Sequence, residues 1–232
     1  IMTWGSNVPL TRTPDAHFLT EVRYKGTKVV SVSPDYAEST TSSDAWLNVK
    51  AGTDAALAMA MGHVILKEYY IDKETPYFKE YAKEFTDMPF LVRVEDINGT
   101  VQPGRFLNAK DLGRQEEGAD FQMVLIDELT NEIVVPNGTM GERHTNPQKW
   151  NLRLENRDTG AKIDPRLSVF DQREDVTIVK LPYFGDEEHE GVIERAIPTI
   201  TVQTADGPVK VTTVYDLILA NYGIDRGIGG EV

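Results

Sequence analysis

Residues 1–36 read IMTWGSNVPL TRTPDAHFLT EVRYKGTKVV SVSPDY and alternate two short apolar runs with one helical pattern. The first run predicts a strand that ends at Trp4, and the β-branched run 28–32 predicts a second strand. Between them, Thr13 and the Pro-Asp pair after it predict a helix with Thr13 as its N-cap, and Gly26 predicts where that helix ends. A strand, a helix and a second strand in this order are typical of a parallel sheet.

The next stretch continues the alternation of strands and helices. Residues 45–47 predict a third strand, and residues 53–70 predict a long helix that is apolar on nearly every side. We expect such a helix to lie in the interior, packed against a sheet. Residues 76–85 predict another helix, whose aromatic stripe we expect to pack in a core. The fold class is therefore predicted to be α/β: a Rossmann-like parallel sheet with helices on both faces, plus a loop-rich β insertion.

The pattern changes after residue 90, where Gly, Asn and acidic residues become frequent and a hairpin turn is predicted at 97–100. A further hairpin is predicted at 199–213, followed by a closing helix. Because Ile1 is not an initiator Met, we expect the chain to be an internal piece of a longer protein. The predicted domains are an α/β core (1–90), to which the binding segments described below belong, a loop-rich, β-containing insertion (91–197), and a hairpin and closing helix that return to the core (198–232).

Composition excludes several classes of function. The 232 residues include 24 Lys and Arg against 37 Asp and Glu, a net charge of −13 that disfavours nucleic acid and anionic membrane surfaces as partners. The absence of Cys excludes disulfides, thiolate metal sites and a Cys nucleophile. No apolar run is long enough for direct membrane insertion, and the four His show no metal-ligand spacing. The sequence therefore predicts no catalytic residue and no metal ligand within this chain.

Three polar segments stand where ligands bind in an open α/β sheet, beyond the carboxyl ends of the strands. In the first, Gly5 permits close backbone approach, and the N–H groups of the following helix are expected to face a diphosphate. In the second, Asp35 can accept hydrogen bonds from ribose or base groups. An ordinary turn or helix cap explains each segment equally well by itself. The candidate cofactor-binding residues are Trp4, Gly5, Ser6, Asn7, Ser33, Pro34, Asp35, Tyr36, Gly52, Thr53 and Asp54.

The same segments carry a resemblance to a known family. Residues 2–17, 33–38 and 52–64 resemble the catalytic (alpha) subunit of membrane-bound respiratory nitrate reductase, within the molybdopterin oxidoreductases. Shorter matches follow at 149–152, 182–185 and 211–217, so the likeness covers the whole chain.

The resemblance implies a specific function. The family binds molybdenum between two molybdopterin guanine dinucleotides and reduces nitrate to nitrite. Trp4 to Asn7 would lie along the pterin and diphosphate of one dinucleotide, Ser33 to Tyr36 would meet its guanosine, and Gly52 to Asp54 would close the pocket. The metal's protein ligand and the ligands of the family's iron–sulfur cluster would lie outside this chain. The isolated chain is therefore expected to be inactive.

The resemblance also implies partners and a location. The partners would be other domains of the same subunit, an iron–sulfur beta subunit, a membrane-anchoring gamma subunit, and nitrate as substrate. The location would be cytoplasmic, with the parent held at the cytoplasmic face of the membrane through its partner subunits. Two alternatives stay open: a non-catalytic nucleotide-binding or interaction module with a Rossmann-like fold, and a nicotinamide-dependent dehydrogenase. The latter would need a tighter glycine turn than Gly5 alone provides.

Overall fold

A computed structural model describes residues 1–138, 153–183 and 191–229. The chain divides into two compact units, Ile1–Ala60 and Met61–Val232. The three-part domain division predicted from the sequence stays a prediction. The quoted motif at 149–152 and residues 184–185 of the motif at 182–185 lie outside the described residues.

The first unit contains a small parallel sheet. Its strands are β1 (Met2–Trp4), β2 (Val30–Val32) and β3 (Ala45–Leu47), in the order β1-β2-β3 with Met2 opposite Val30 and Val30 opposite Ala45. The three predicted strands and their parallel pairing are confirmed. The predicted Rossmann-like sheet with helices on both faces is only partly realised. Each strand has three residues, and the larger sheet among the described residues is antiparallel, so the structure is a mixed α/β fold.

Three helices connect these strands: α1 (Val8–Thr11), α2 (Thr13–Tyr24) and α3 (Glu38–Thr41). The predicted helix is α2, but Thr13 is not its N-cap. Arg12 occupies that position without a side-chain capping bond, and the Thr13 hydroxyl donates back to the carbonyl of Pro9 at 3.2 Å. The short α1 immediately before α2 supplies that carbonyl, and the sequence pattern did not predict α1.

The long predicted helix begins as α4 (Asp54–Ile65) and continues as a π-helical segment, Leu66–Asp72. The prediction that it lies in the interior was wrong for α4, in which no residue is buried and Val64 is 49% exposed. It holds only for the end of the predicted helix, where Leu66 and Tyr70 of the π-helical segment are buried. The apolar composition of α4 indicates that other structure packs against it, but it does not identify that structure. No helix in the described ranges is long and apolar enough to span a bilayer.

Helix α5 (Pro76–Phe85) has the predicted bounds. Phe78 packs in the core, with its ring centroid 5.5 Å from that of Tyr70. The rest of the aromatic stripe does not follow the prediction of core packing, since Tyr77, Tyr81 and Phe85 are exposed. These three side chains contact one another along the helix surface, because residues four positions apart lie on the same face.

The second unit contains the strands β4 Leu91–Ile97, β5 Thr100–Phe106, β6 Leu125–Ile126, β7 Ile133–Val134, β8 Pro136–Asn137, β9 Arg153–Asn156, β10 Asp175–Pro182, β11 Val192–Thr204 and β12 Gly207–Thr213. Five of them form an antiparallel sheet in the order β10-β11-β12-β4-β5. The predicted turn at 97–100 joins β4 to β5, with Asn98 and Gly99 at positive φ, and the predicted turn near 206 joins β11 to β12. Two short antiparallel pairs, β6 with β7 and β8 with β9, lie between β5 and β10 in the chain.

The predicted closing helix is α6 (Val214–Asn221), which begins directly after β12. Thr213 caps it by accepting a hydrogen bond from the N–H of Asp216 at 3.1 Å. Its buried face carries Tyr215 and Leu219, which join a core cluster with Tyr70 of the π-helical segment. A separate core cluster, which includes Leu91 and Val211, lies against β4 and β12.

Gly62 provides a test of packing in the second unit. A Cβ atom at this position would lie 2.2 Å from Cε1 of Tyr222. We expect Gly62→Ala to lower the free energy of unfolding by about 1–3 kcal/mol through overpacking, although alanine favours a helix by about 1 kcal/mol. Denaturant unfolding measures the change. In a Tyr222→Ala background the same substitution should be neutral or stabilising, and a stabilising effect in the wild-type background would contradict the expectation.

Candidate functional site

The three predicted binding segments all belong to the first unit, and two of them begin at the carboxyl ends of β1 and β2. The N–H of Gly5 donates to the Val32 carbonyl at 3.1 Å, and the N–H of Ser33 donates to the Leu47 carbonyl at 3.3 Å. These bonds extend the strand pairing by one residue beyond β1 and β2 and fix the point at which each loop leaves the sheet. The loops therefore start at the same edge of the sheet, as predicted for parallel strands.

The first and third segments meet through one hydrogen bond. The indole Nε1 of Trp4 donates to Oδ1 of Asp54 at 2.5 Å. Gly5, which follows Trp4, has a φ of +60°, a conformation that residues with side chains rarely adopt, and a Cβ built on it would meet nothing within 4 Å. The backbone at Gly5 is therefore open to a ligand that approaches closely.

Asn7 is held by neighbouring side chains. Its Nδ2 donates to Oε2 of Glu38 at 2.5 Å, and its Oδ1 accepts from the Ser39 hydroxyl at 3.3 Å. The bond from Asn7 lowers the pKa of the Glu38 carboxyl below its usual value. The first N–H of α1, that of Val8, donates to the Ser39 Oγ at 2.9 Å, so this group is not free for a diphosphate. The expected row of free N–H groups is thus incomplete here.

The second segment presents a carboxylate beside two aromatic rings. Oδ1 of Asp35 accepts from the Ser33 hydroxyl at 2.8 Å, and Asp35 is exposed. The Tyr36 ring meets the Trp46 ring edge-on at 5.4 Å between centroids, and Nε1 of Trp46 donates to the Ser33 carbonyl at 2.9 Å. Asp35 therefore keeps Oδ2 available to accept hydrogen bonds.

The third segment forms the start of α4. Gly52 takes a positive φ of +85°, and the Thr53 hydroxyl donates to the Lys50 carbonyl at 2.6 Å. Within the described residues, no hydrogen bond joins 33–36 directly to either of the other two segments. The described residues also contain no group of three or more His, Asp or Glu placed to hold a metal ion.

Sequence reasoning missed three residues that shape this edge of the sheet: Trp46, Glu38 and Ser39. Trp46 supports the second segment, and the other two hold the first. The position of Trp46 in a predicted three-residue strand could have indicated its role, since a ring of that size must pack against residues beside the sheet. Nothing in the local pattern around Glu38 and Ser39 indicated contacts with residues about thirty positions earlier.

A cavity of about 810 Å³ lies in the second unit, lined by charged residues that include Arg105 and Arg114. Arg105 forms two hydrogen bonds with the carboxylate of Asp111, and Arg114 forms two with that of Asp158. These arginines are largely satisfied by protein carboxylates. The cavity therefore offers a ligand few unpaired arginine N–H donors, despite its size.

Comparison with known proteins agrees with the predicted resemblance. The profile of the molybdopterin oxidoreductase family matches residues 1–211. The nitrate reductase alpha chain of Bacillus subtilis (strain 168) is 52% identical over 229 residues, covering 99% of this chain and 19% of the relative. The respiratory nitrate reductase 1 alpha chain of Escherichia coli (strain K12) is 47% identical over 240 residues, with 98% and 19% coverage.

A more distant relative shares a smaller part of the chain. The perchlorate reductase subunit alpha of Dechloromonas aromatica (strain RCB) is 38% identical over 143 residues, which cover 62% of this chain. The chain spans about a fifth of the length of the nitrate reductase relatives. Since the family profile covers most of the sequence, the chain belongs to the molybdopterin oxidoreductase family.

Proposed function

We propose that this chain is part of the catalytic subunit of a respiratory nitrate reductase and supplies part of the site for one molybdopterin guanine dinucleotide. The identity to nitrate reductase alpha chains over nearly the whole sequence supports the parent activity. The start of two of the three binding segments at the carboxyl ends of neighbouring parallel strands supports the site. The single observation that carries the proposal is the exposed Asp35 beside Tyr36 at the end of β2.

The described residues fit a dinucleotide in the chemistry of their exposed groups. Gly5 provides an open backbone for a diphosphate or pterin, and Ser6 adds an exposed hydroxyl. The Trp4–Asp54 hydrogen bond fixes the start of α4 against this loop, which pre-organises the pocket. Asn7 supports the loop through Glu38 and Ser39, so we assign it a positioning role.

Asp35 has the chemistry that guanine requires. The Watson–Crick edge of guanine presents two adjacent N–H donors, and a carboxylate is an acceptor that can meet both. The Ser33 hydroxyl holds one carboxylate oxygen in place, and the Tyr36 ring offers a face on which a base can stack. Adenine lacks this pair of donors, so the same site would discriminate against it.

The proposal has consequences for the whole protein. When bound, the molybdenum cofactor supplies the oxygen-atom transfer that converts nitrate to nitrite. This chain would provide neither the metal's protein ligand nor the ligands of the iron–sulfur cluster, so it would be inactive in isolation. The partners would be the remaining domains of the alpha subunit and the beta and gamma subunits, with the parent at the cytoplasmic face of the membrane. The predicted core at 1–90 would be the part that carries the cofactor.

A titration of the 232-residue chain with guanosine diphosphate tests the site. We expect guanosine-selective shifts of the amide resonances of residues 4–7 and 33–36. Asp35→Asn should weaken binding about 10- to 100-fold, because a charge-assisted hydrogen bond contributes about 1.5–3 kcal/mol. Glu21→Gln is the matched control, since it removes one exposed carboxylate of α2 elsewhere in the first unit. NAD and adenosine diphosphate serve as ligand controls.

The outcomes separate the alternatives. Equal binding of guanosine and adenosine diphosphates, or an Asp35→Asn variant that binds normally, would contradict the proposed role of Asp35. Selective binding of NAD would favour a nicotinamide-dependent dehydrogenase. A folded chain that binds none of these ligands would favour an interaction module and would remove the proposal that the isolated chain contains a preformed half-site.

A further inference from the structure

A second cavity, of about 500 Å³, lies in the second unit and is independent of the proposed dinucleotide site. Its wall is formed by the π-helical segment, α5, α6 and the loops around residues 166–172 and 225–226. The apolar part of the wall comes from Ile71, Leu167 and Phe170. The polar part has an unusual arrangement, in which hydrogen-bond donors are buried and carboxylates are exposed.

Two tyrosines supply donors without partners. Tyr70 and Tyr215 are 8% and 5% exposed, and their ring centroids are 6.0 Å apart. Neither hydroxyl forms a hydrogen bond with any residue that the structure describes, and neither oxygen is among the fully sealed polar atoms. Both residues line the cavity. Burial raises the pKa of both phenols, so each remains a protonated donor at neutral pH.

Two buried arginines add further donors. Arg166, whose side chain is 8% exposed, uses Nε on Glu128 and Nη1 on Asn131. Arg226, whose side chain is 10% exposed, uses Nη1 on Asp216 and Ser168. These bonds leave Nη2 of each guanidinium without a partner among the described residues. Because arginine cannot deprotonate in proteins, both nitrogens are permanent donors.

The carboxylates of the cavity wall belong to exposed residues. Glu74, Glu128, Asp171 and Asp225 are all exposed, whereas Lys79 and Lys83 are half-buried. Solvent screens exposed charges more strongly than buried ones, so these carboxylates repel an anion inside the cavity only weakly. Asp216 is buried but directs its oxygens to Arg226, Ser168, Thr213 and the N–H of Val169. It balances part of the Arg226 charge, so we expect moderate affinity.

We infer that this cavity binds a small oxyanion, a carboxylate or phosphate group that accepts hydrogen bonds from Tyr70, Tyr215, Arg166 and Arg226. Donors that line one cavity and have no protein acceptor favour an acceptor-rich ligand, since such a ligand can replace the water that otherwise satisfies them. The apolar wall at Phe170 and Leu167 leaves room for a small organic body attached to the charged group.

Calorimetric titration of the 232-residue chain tests this site with two probes, inorganic phosphate and citrate, at constant ionic strength set by chloride. We expect saturable binding of at least one probe, and the preferred probe identifies the group as phosphoryl or carboxylate. Tyr70→Phe and Tyr215→Phe remove only the hydroxyls and keep the rings in the core. Each should weaken binding about tenfold or more, since a hydrogen bond to a charged group contributes about 1.5–3 kcal/mol.

Tyr69→Phe is the matched control, because Tyr69 belongs to the same core cluster but does not line the cavity. It should leave the affinity unchanged, and the amide spectrum of each variant verifies that it is folded. Absence of saturable binding with both probes would overturn the inference. So would a folded Tyr70→Phe/Tyr215→Phe double variant that binds as tightly as the Tyr69→Phe control.

Discussion

Asp216→Ala is expected to lower the free energy of unfolding by about 3–5 kcal/mol, because it leaves a buried cation and three further donors without their acceptor. Asp216 is fully buried at the start of α6. Its oxygens accept from Nη1 of Arg226 at 2.7 Å, from the Ser168 hydroxyl at 2.6 Å and from the N–H of Val169 at 2.9 Å. The Thr213 hydroxyl is the fourth donor, at 2.8 Å.

Denaturant unfolding of the second unit measures this loss. The free energy of unfolding of Asp216→Asn should lie between those of the wild type and of Asp216→Ala. The amide keeps one acceptor oxygen, but its NH2 group brings two N–H donors against groups that are themselves donors. Asp171→Ala is the matched control, since it removes an exposed carboxylate from the same region and should change stability by less than about 0.5 kcal/mol. If Asp216→Ala were as mild as this control, the network would contribute little to the fold.

Asp111→Asn is expected to lower the free energy of unfolding by about 2–4 kcal/mol near neutral pH, since it weakens a half-buried ionic cluster. The Asp111 side chain is 7% exposed. Its carboxylate accepts from Nη1 and Nη2 of Arg105 at 2.7 and 2.5 Å and from the N–H of Asn108 at 3.0 Å. Nη1 of Arg93 lies 3.4 Å away.

The stability loss caused by Asp111→Asn should depend on pH, and the pKa of Asp111 determines the direction. Burial alone would raise the pKa of Asp111, but the hydrogen bonds from Arg105 and Asn108 outweigh it and hold the pKa below its usual value. A carboxyl with a lowered folded pKa stabilises the protein above its unfolded pKa of about 4, and the stabilisation is lost as pH falls through the folded pKa. The difference between wild type and Asp111→Asn should therefore shrink in acid.

Unfolding curves from neutral pH down to the acid range measure this dependence. Asp120→Asn is the control, because Asp120 lines the same cavity with an exposed side chain. A stability difference for Asp111→Asn that stayed constant in acid would show that the lowered pKa does not contribute to stability.

Local patterns were sufficient to predict most of the elements. The structure confirms the elements predicted from three local signals, which each act within a few residues: the β-branched run at 28–32, the turn at Asn98 and Gly99, and the proline at the start of α5. The predicted edge of the parallel sheet also follows from local order, because strands joined by helices pair in parallel.

Contacts between distant residues could not be predicted in the same way. The Trp4–Asp54 and Asn7–Glu38 bonds join positions 50 and 31 residues apart, and no spacing rule connects them. The burial of α4 was predicted wrongly for a related reason. A helix that is apolar on all sides indicates contact with other structure, but its composition does not state whether that structure lies within the same 232 residues.

The pairing of β12 with β4 has a consequence for how relatives differ in length. Val92 pairs with Thr212, so this contact closes a loop of about 120 residues, whereas the hairpins β4–β5 and β11–β12 close within a few residues. The entropy of closing a long loop grows only logarithmically, and each doubling adds about 0.6 kcal/mol. Insertions between β5 and β10 should therefore accumulate during evolution with little penalty.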